Sequence, residues 1–224
     1  QRQMCIRDRS VTMKKVIDLK INEKAYRNKK QLTSVLNNFR LNVNKGEKVS
    51  IVGRSGVGKT TLLNILGLLD TDYDGEYMLF DSLISNMEST QLAKWRNQKI
   101  GFVLQESALI NSITIEENIK LPLQYADSEY IFKEERFNEI LNKIGIESIL
   151  KKKPLECSGG EKSRAIFARA IIMNPSLILC DEPTASLDEY NKQQIMNLLF
   201  KMNKEQDVTI CLLYTSPSPR DQRG

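Results

Sequence analysis

Three glycines, a lysine and two threonines fall within one short stretch, Gly53-Arg54-Ser55-Gly56-Val57-Gly58-Lys59-Thr60-Thr61, directly after the apolar run Val49 to Val52. The spacing is that of a phosphate-binding loop, G-x-x-x-x-G-K-T, between a strand and a helix. Gly53, Gly56 and Gly58 let the backbone curl until several N–H groups point at one anion. The helix that follows adds the positive end of its dipole. Lys59 has the reach for the outer phosphates of a triphosphate, and the Thr60 hydroxyl can hold Mg²⁺. A second chemical pair, Asp181-Glu182, follows the apolar run Leu177 to Cys180. A carboxylate at a strand end beside a phosphate loop can orient the water shell of Mg²⁺, and the next one can polarise an attacking water. A third stretch, Ser158-Gly159-Gly160-Glu161, is a capping box that any helix could use. Its two glycines exceed what capping needs, and they offer bare N–H groups as a second anion site. One triphosphate does not need two such sites from one chain, but two chains facing head to tail would use both.

The 224 residues are 41% hydrophobic and 27% charged, enough for one globular domain with a substantial core. No apolar run approaches the length of a membrane span. The four cysteines (Cys5, Cys157, Cys180 and Cys211) are scattered, which argues for a reducing cytosol and against a zinc site or disulfide framework. Histidine is absent, which excludes histidine catalysis in the chain as it stands. Of the formal charge of +5, the first twelve residues carry +2 and the last eleven +1. The body is near neutral, so the charge says little about partners, and Lys151-Lys152-Lys153 reads as a solvated face; no nucleic-acid partner is expected.

Periodicity places these residues on elements. Val16 to Ile21 alternates as a strand, Tyr26 falls in the polar turn after it, and Val35 to Val43 reads as a second strand. Asp72 to Gly75 is a turn, Glu76 to Phe80 a short strand, Ser89 to Asn97 a helix, and Lys99 to Leu104 a buried strand ending at Gln105. From Thr114 to Leu155 the character is helical. Ile115, Ile119, Leu121 and Leu123 form one apolar set, and Ile131, Phe132, Phe137, Ile140, Leu141 and Ile144 another. Ser158 opens a helix running to Met173, Tyr190 to Asn203 is a further helix, and Val208 to Leu213 is the last strand. Strands alternating with helices imply an α/β fold with a largely parallel sheet, whose ligands bind beyond the strand C-termini.

In this order, the phosphate loop, Gln105, Ser158 to Glu161, Leu177 to Glu182 and Ala185-Ser186-Leu187-Asp188 resemble the nucleotide-binding subunit of an ABC transporter. The resemblance implies a phosphate-loop NTPase of residues 13–213. A RecA-like parallel sheet would form its core, with an N-terminal antiparallel β subdomain and an inserted helical subdomain at about 106–173. It also implies roles. Tyr26, 27 residues before Gly53, matches the aromatic that stacks on adenine. Gln105 matches the glutamine that contacts Mg²⁺ and the attacking water. Ser158, Gly159 and Gly160 match the motif, continued by Glu161, that caps the γ-phosphate held by a partner subunit. Asp181 and Glu182 match the Mg²⁺-associated carboxylate and the catalytic base, and Asp188 the aspartate that communicates across the dimer. The implied cofactors are ATP and Mg²⁺. The implied partners are a second ATPase subunit, forming a head-to-tail homodimer on ATP, and an integral membrane permease that would hold the chain at the inner face of the cell membrane from the cytoplasm. Leu66 to Asp70 and Ile113 to Ile119 resemble the branch serving lipoprotein release, macrolide efflux and bacteriocin export. A rival reading is a non-transport ABC ATPase of DNA repair or translation. The 52 residues between Gln105 and Ser158 leave no room for the long heptad arm of such proteins.

Two departures stand out. Cys157 replaces the leucine usual before Ser-Gly-Gly. The family also follows its last core strand with a loop carrying a γ-phosphate-contacting histidine, and this chain has none. Residues 1–12 and 214–224 show no helix or strand period, and they resemble translated sequencing adapter. They are expected to be non-native or disordered tails, with the domain truncated at its C-terminal side. The chain is expected to bind ATP weakly and turn it over poorly.

Overall fold

The computed structural model describes residues 14–28, 31–104, 109–128, 130–183 and 187–215. Gln105, Ala185, Ser186 and residues 1–12 and 216–224 lie outside them. The chain opens with β1 (Lys15–Asn28), β2 (Gln31–Asn44) and β3 (Lys48–Gly53), then α1 (Lys59–Leu66). Next come β4 (Asp74–Leu79), β5 (Ser82–Leu83), α2 (Ser89–Gln98) and β6 (Ile100–Leu104). α3 (Ile115–Lys120), α4 (Glu134–Ile144) and α5 (Gly159–Ile171) lead to β7 (Leu177–Asp181), α6 (Glu189–Gln206) and β8 (Thr209–Thr215).

Two sheets result, an antiparallel one in the order β2-β1-β4-β5 and a parallel one in the order β3-β8-β7-β6. The side chains of β7 and β8 show why the second is buried on both faces. Leu177, Leu179, Cys211 and Leu213 join a core shared with α1 and the antiparallel sheet. Ile178, Cys180, Ile210 and Leu212 point the other way, into a core built with α3 to α6. Alternate residues of a strand face opposite sides, so a doubly covered strand must be apolar throughout. β1 has one covered face, and there Ile17, Leu19 and Ile21 are buried while Lys20 is exposed. Cys157, Cys180 and Cys211 are buried free thiols. Cys157 packs into the helical core.

The structure corrects several readings. Tyr26 is not in a turn: β1 continues through it, paired with Thr33 of β2. Asp74 and Gly75 already belong to β4. The helical stretch is punctuated at its prolines, as the sequence implies: a 3₁₀ turn, Leu121–Tyr125, contains Pro122, another opens at Pro154, and α4 ends at Gly145 with φ 69°. Ile131 is not part of the apolar set, being 80% exposed, because α4 begins only at Glu134. Tyr214 and Thr215 are not tail but the end of β8, paired in parallel with Val52 and Gly53. No helix among the described residues is long and apolar enough to cross a membrane.

Candidate active site

Parallel pairing brings strand C-termini to one edge of the sheet, with Gly53 opposite Thr215, Asp181 opposite Leu213, and Leu104 opposite Asp181. A cavity of about 600 Å³ opens at this edge. Its walls are Ser55, Gly56, Gly58, Lys59, Thr60 and Thr61 of the loop and α1, with Val35 of β2 and the strand-end residues Leu104, Asp181, Glu182 and Thr215. The sequence-predicted phosphate loop and acidic pair therefore meet in one place.

The loop takes its shape from its glycines. Gly56 and Gly58 have φ of 78° and 95°, where a side chain would be strained. A Cβ on Gly58 would also lie 2.7 Å from Val35. Gly58 occupies the N-cap of α1, with no side-chain cap bond, so the N-terminal N–H groups of α1 are not taken by a capping side chain. Lys59 folds over the loop and donates to the carbonyls of Gly53 at 2.9 Å and Arg54 at 2.8 Å. Arg54 O also accepts from Val57 N at 3.4 Å, which closes the turn.

Glu182 leaves β7 in the left-handed region at φ 46°, which is uncommon for a side-chain-bearing residue. Its N–H is held by Leu213 O at 3.0 Å. Its carboxylate accepts a hydrogen bond from the Thr215 hydroxyl. Asp181 is the last residue of β7 and lines the same cavity. Thr60 and Asp181 offer hard oxygen donors at its wall. Few protein oxygens, with phosphate and water completing the shell, are what Mg²⁺ accepts, so these residues fit that ion.

Tyr26 stands one side chain beyond the cavity, its hydroxyl 3.4 Å from Thr61 Oγ1 and donating to Asp70 Oδ2 at 3.1 Å. Ser158 to Glu161 and Asp188 do not line the cavity. Ser158 forms the full capping box of α5: its hydroxyl accepts from Glu161 N at 3.2 Å, and Glu161 accepts from Ser158 N at 2.7 Å. The Ser158 N–H holds the Glu161 carboxyl below its ordinary value against the cost of burial, with the Ser158 hydroxyl and Lys152 adding to the effect. Asp188 caps α6, accepting from Asn191 N at 2.9 Å and Asn191 Nδ2 at 2.7 Å. These bonds lower its pKa as well.

Sequence reading missed Asp70, Asn191 and Thr215. Asp70 lies inside the Leu66-to-Asp70 motif, but its partner Lys24 is 46 positions away. Asn191 is an ordinary helix residue until Arg164 Nη1, 27 positions away, is found donating to its Oδ1 at 2.9 Å. Thr215 could be found only from the strand register.

A glycine loop that opens a helix at the C-terminal edge of a parallel sheet, facing a carboxylate pair, is how phosphate-loop domains hold a nucleoside triphosphate, and this fold and site define that class. The model of the family described as "ABC transporter" matches residues 36–185, and the chain belongs to that family. It is 42% identical over 84% of its length to an uncharacterised ABC transporter ATP-binding protein, YvcR of Bacillus subtilis, covering 73% of that protein. It is 38% identical to the bacitracin export ATP-binding protein BceA of Halalkalibacterium halodurans, over 87% of this chain and 77% of that one. With the macrolide export ATP-binding/permease protein MacB of Haemophilus ducreyi the identity is 36% over 89% of the chain, which spans only 29% of that longer protein. Among solved structures, the dimeric, post-hydrolysis ATP-binding cassette MJ0796 bound to ADP and Pi superposes with a TM-score of 0.80 at 38% identity, over 88% of this chain and 87% of that one. The fold is thus an ABC ATPase cassette, with its antiparallel β subdomain and parallel sheet, and the chain is an ATP-binding subunit of the ABC type.

Proposed function

We propose that the chain hydrolyses ATP as a homodimer and powers a separate membrane permease that exports peptide or bacteriocin, with lipoprotein or drug as the related cargoes. One observation carries the reading: Lys59, Thr60, Asp181 and Glu182 line the same cavity. The loop N–H groups and Lys59 hold the phosphates, Lys59 leaving the Gly53 and Arg54 carbonyls to do so. Thr60 and Asp181, with Gln105, would hold Mg²⁺, which when bound would neutralise phosphate charge. Glu182 accepts the proton of the attacking water. Ser158, Gly159 and Gly160 of a second copy close the site from the other side, and Asp188 lets the two sites sense each other. Hydrolysis then reopens the pair. The export direction is supported by the names of BceA and MacB, and the transport reading by the shortness of the helices between β6 and α5, of which α4 has 11 residues. The chain would sit in the cytoplasm, at the inner face of the membrane through its permease.

Glu182→Gln tests this. ATP binding by calorimetry is expected to be kept, while single-turnover hydrolysis falls about 100-fold or more. Hydrolysis equal to that of the parent chain would remove Glu182 as the base.

A further inference from the structure

Lys24 is a charged residue only 2% exposed, and it does not line the cavity. Its ammonium donates to Asp70 Oδ1 at 3.1 Å and to the Asp72 carbonyl, and it lies 3.0 Å from Asp70 Oδ2. It also sits 4.6 Å from the centroid of the Tyr26 ring. The same Asp70 oxygen accepts the Tyr26 hydroxyl at 3.1 Å. One carboxylate therefore holds both the ammonium that covers a ring face and the hydroxyl at the ring's end.

A hydroxyl anchored at one end and a cation over one face together restrict the tilt of an aromatic ring. With its hydroxyl anchored and one face under a cation, Tyr26 has a single face left to offer, yet it remains 43% exposed. The anchor is tied to the phosphate-binding helix. Asp70 N and Leu69 N both donate to Asn64 O, and Asn64 and Thr61 line the cavity. A ring so placed is presented to whatever extends outward from a phosphate group in the loop. Burial works against the Lys24 charge, but Asp70, with Asp72 and Tyr26 adding, outweighs it and keeps the pKa above its ordinary value. The cation is permanent at any physiological pH.

We infer that Asp70 and Lys24 are positioning residues for Tyr26, the aromatic that the resemblance already sets against adenine, and that through it they sharpen the preference of the site for ATP over bare triphosphate. The inference rests on the ATP-binding reading above. Calorimetry of the full chain with ATP and with inorganic tripolyphosphate separates base from phosphate binding. Asp70→Asn is expected to weaken ATP about tenfold, the scale of one aromatic stacking contact, and to leave tripolyphosphate unchanged. In a Tyr26→Ala background it should have no further effect, because it acts through the ring. If the unpaired lysine unfolds that variant, Lys24→Met with Asp70→Asn removes the buried charge pair together and should show the same selective loss. Equal weakening of both ligands, or Tyr26→Ala weakening ATP while neither Asp70 variant does, overturns the positioning role. Tyr26→Ala leaving ATP affinity unchanged overturns the ring's contact with adenine while the ATP-binding reading stands. A parent chain that binds neither ligand overturns both.

Discussion

Asn191 lies directly on Gly160: a Cβ at that glycine would come within 2.6 Å of the Asn191 side-chain carbon. The contact joins the start of α5 to the start of α6, because Asn191 also holds Asp188 and accepts from Arg164. The segment proposed to cap a second copy's nucleotide therefore packs against the side chain that hydrogen-bonds the aspartate proposed to signal across the dimer.

The two neighbouring glycines are expected to differ for this reason. Gly160→Ala must displace Asn191 and should destabilise the chain by about 1–3 kcal/mol, read as a lowered Tm. Gly159 has open space where its Cβ would be. Gly159→Ala should leave Tm within about 1 °C of the parent while weakening ATP-dependent dimerisation, measured by sedimentation. A shared, large Tm loss would show that the contact does not distinguish them.

Lys59 makes its two hydrogen bonds to loop carbonyls, not to the core. Lys59→Met should therefore cost little stability, about 1 kcal/mol or less, and reduce ATP affinity by about 100-fold, since it removes a charge-assisted contact to phosphate. Denaturant melts and calorimetry on the same preparation check both halves.

Thr215 ends β8 opposite Gly53, lines the cavity and donates to Glu182. It stands beside the proposed base, where the resemblance places a phosphate-contacting histidine close by in the chain. Thr215→His should raise single-turnover ATP hydrolysis by about tenfold or more, as expected of an added phosphate contact near the base. No gain would show that this end of β8 is not where a histidine acts.

Three helix caps bear on acid stability. Glu117, Glu161 and Asp188 are each held below their ordinary pKa, first by the backbone N–H of Thr114, Ser158 and Asn191 respectively. A depressed folded-state pKa means that the unfolded chain takes up the proton first. The stability these caps give is complete above the ordinary values of 4.5 and 3.8, and it is lost as pH falls through the lower folded values. Urea midpoints should be flat with respect to these groups from pH 7 to about 5 and fall below about 4. Ser158→Ala should reduce that acid slope by removing part of one cap.

Local chemistry made the phosphate loop, the acidic strand end and the capping box readable from the chain alone. Each is a contiguous run whose residue types state its backbone requirement: glycines for positive φ, four apolar residues for a strand covered on both faces, and Ser-x-x-Glu for a helix start. Their α/β alternation likewise implied a parallel sheet and placed its ligand edge. The tertiary structure decided what depends on distant partners. Tyr26 lies in a strand because β2 pairs with it across the hairpin, a matter of register that its own neighbours do not encode. Ile131 is exposed because the helix that would have buried it starts three residues later. Thr215 enters the site because parallel pairing sets it opposite Gly53, and Lys24 meets Asp70 across 46 positions because folding brings β1 beside the segment that follows α1. Sequence order records the local conformational preference of each residue; only folding determines which distant residues come close enough to share a proton or a charge.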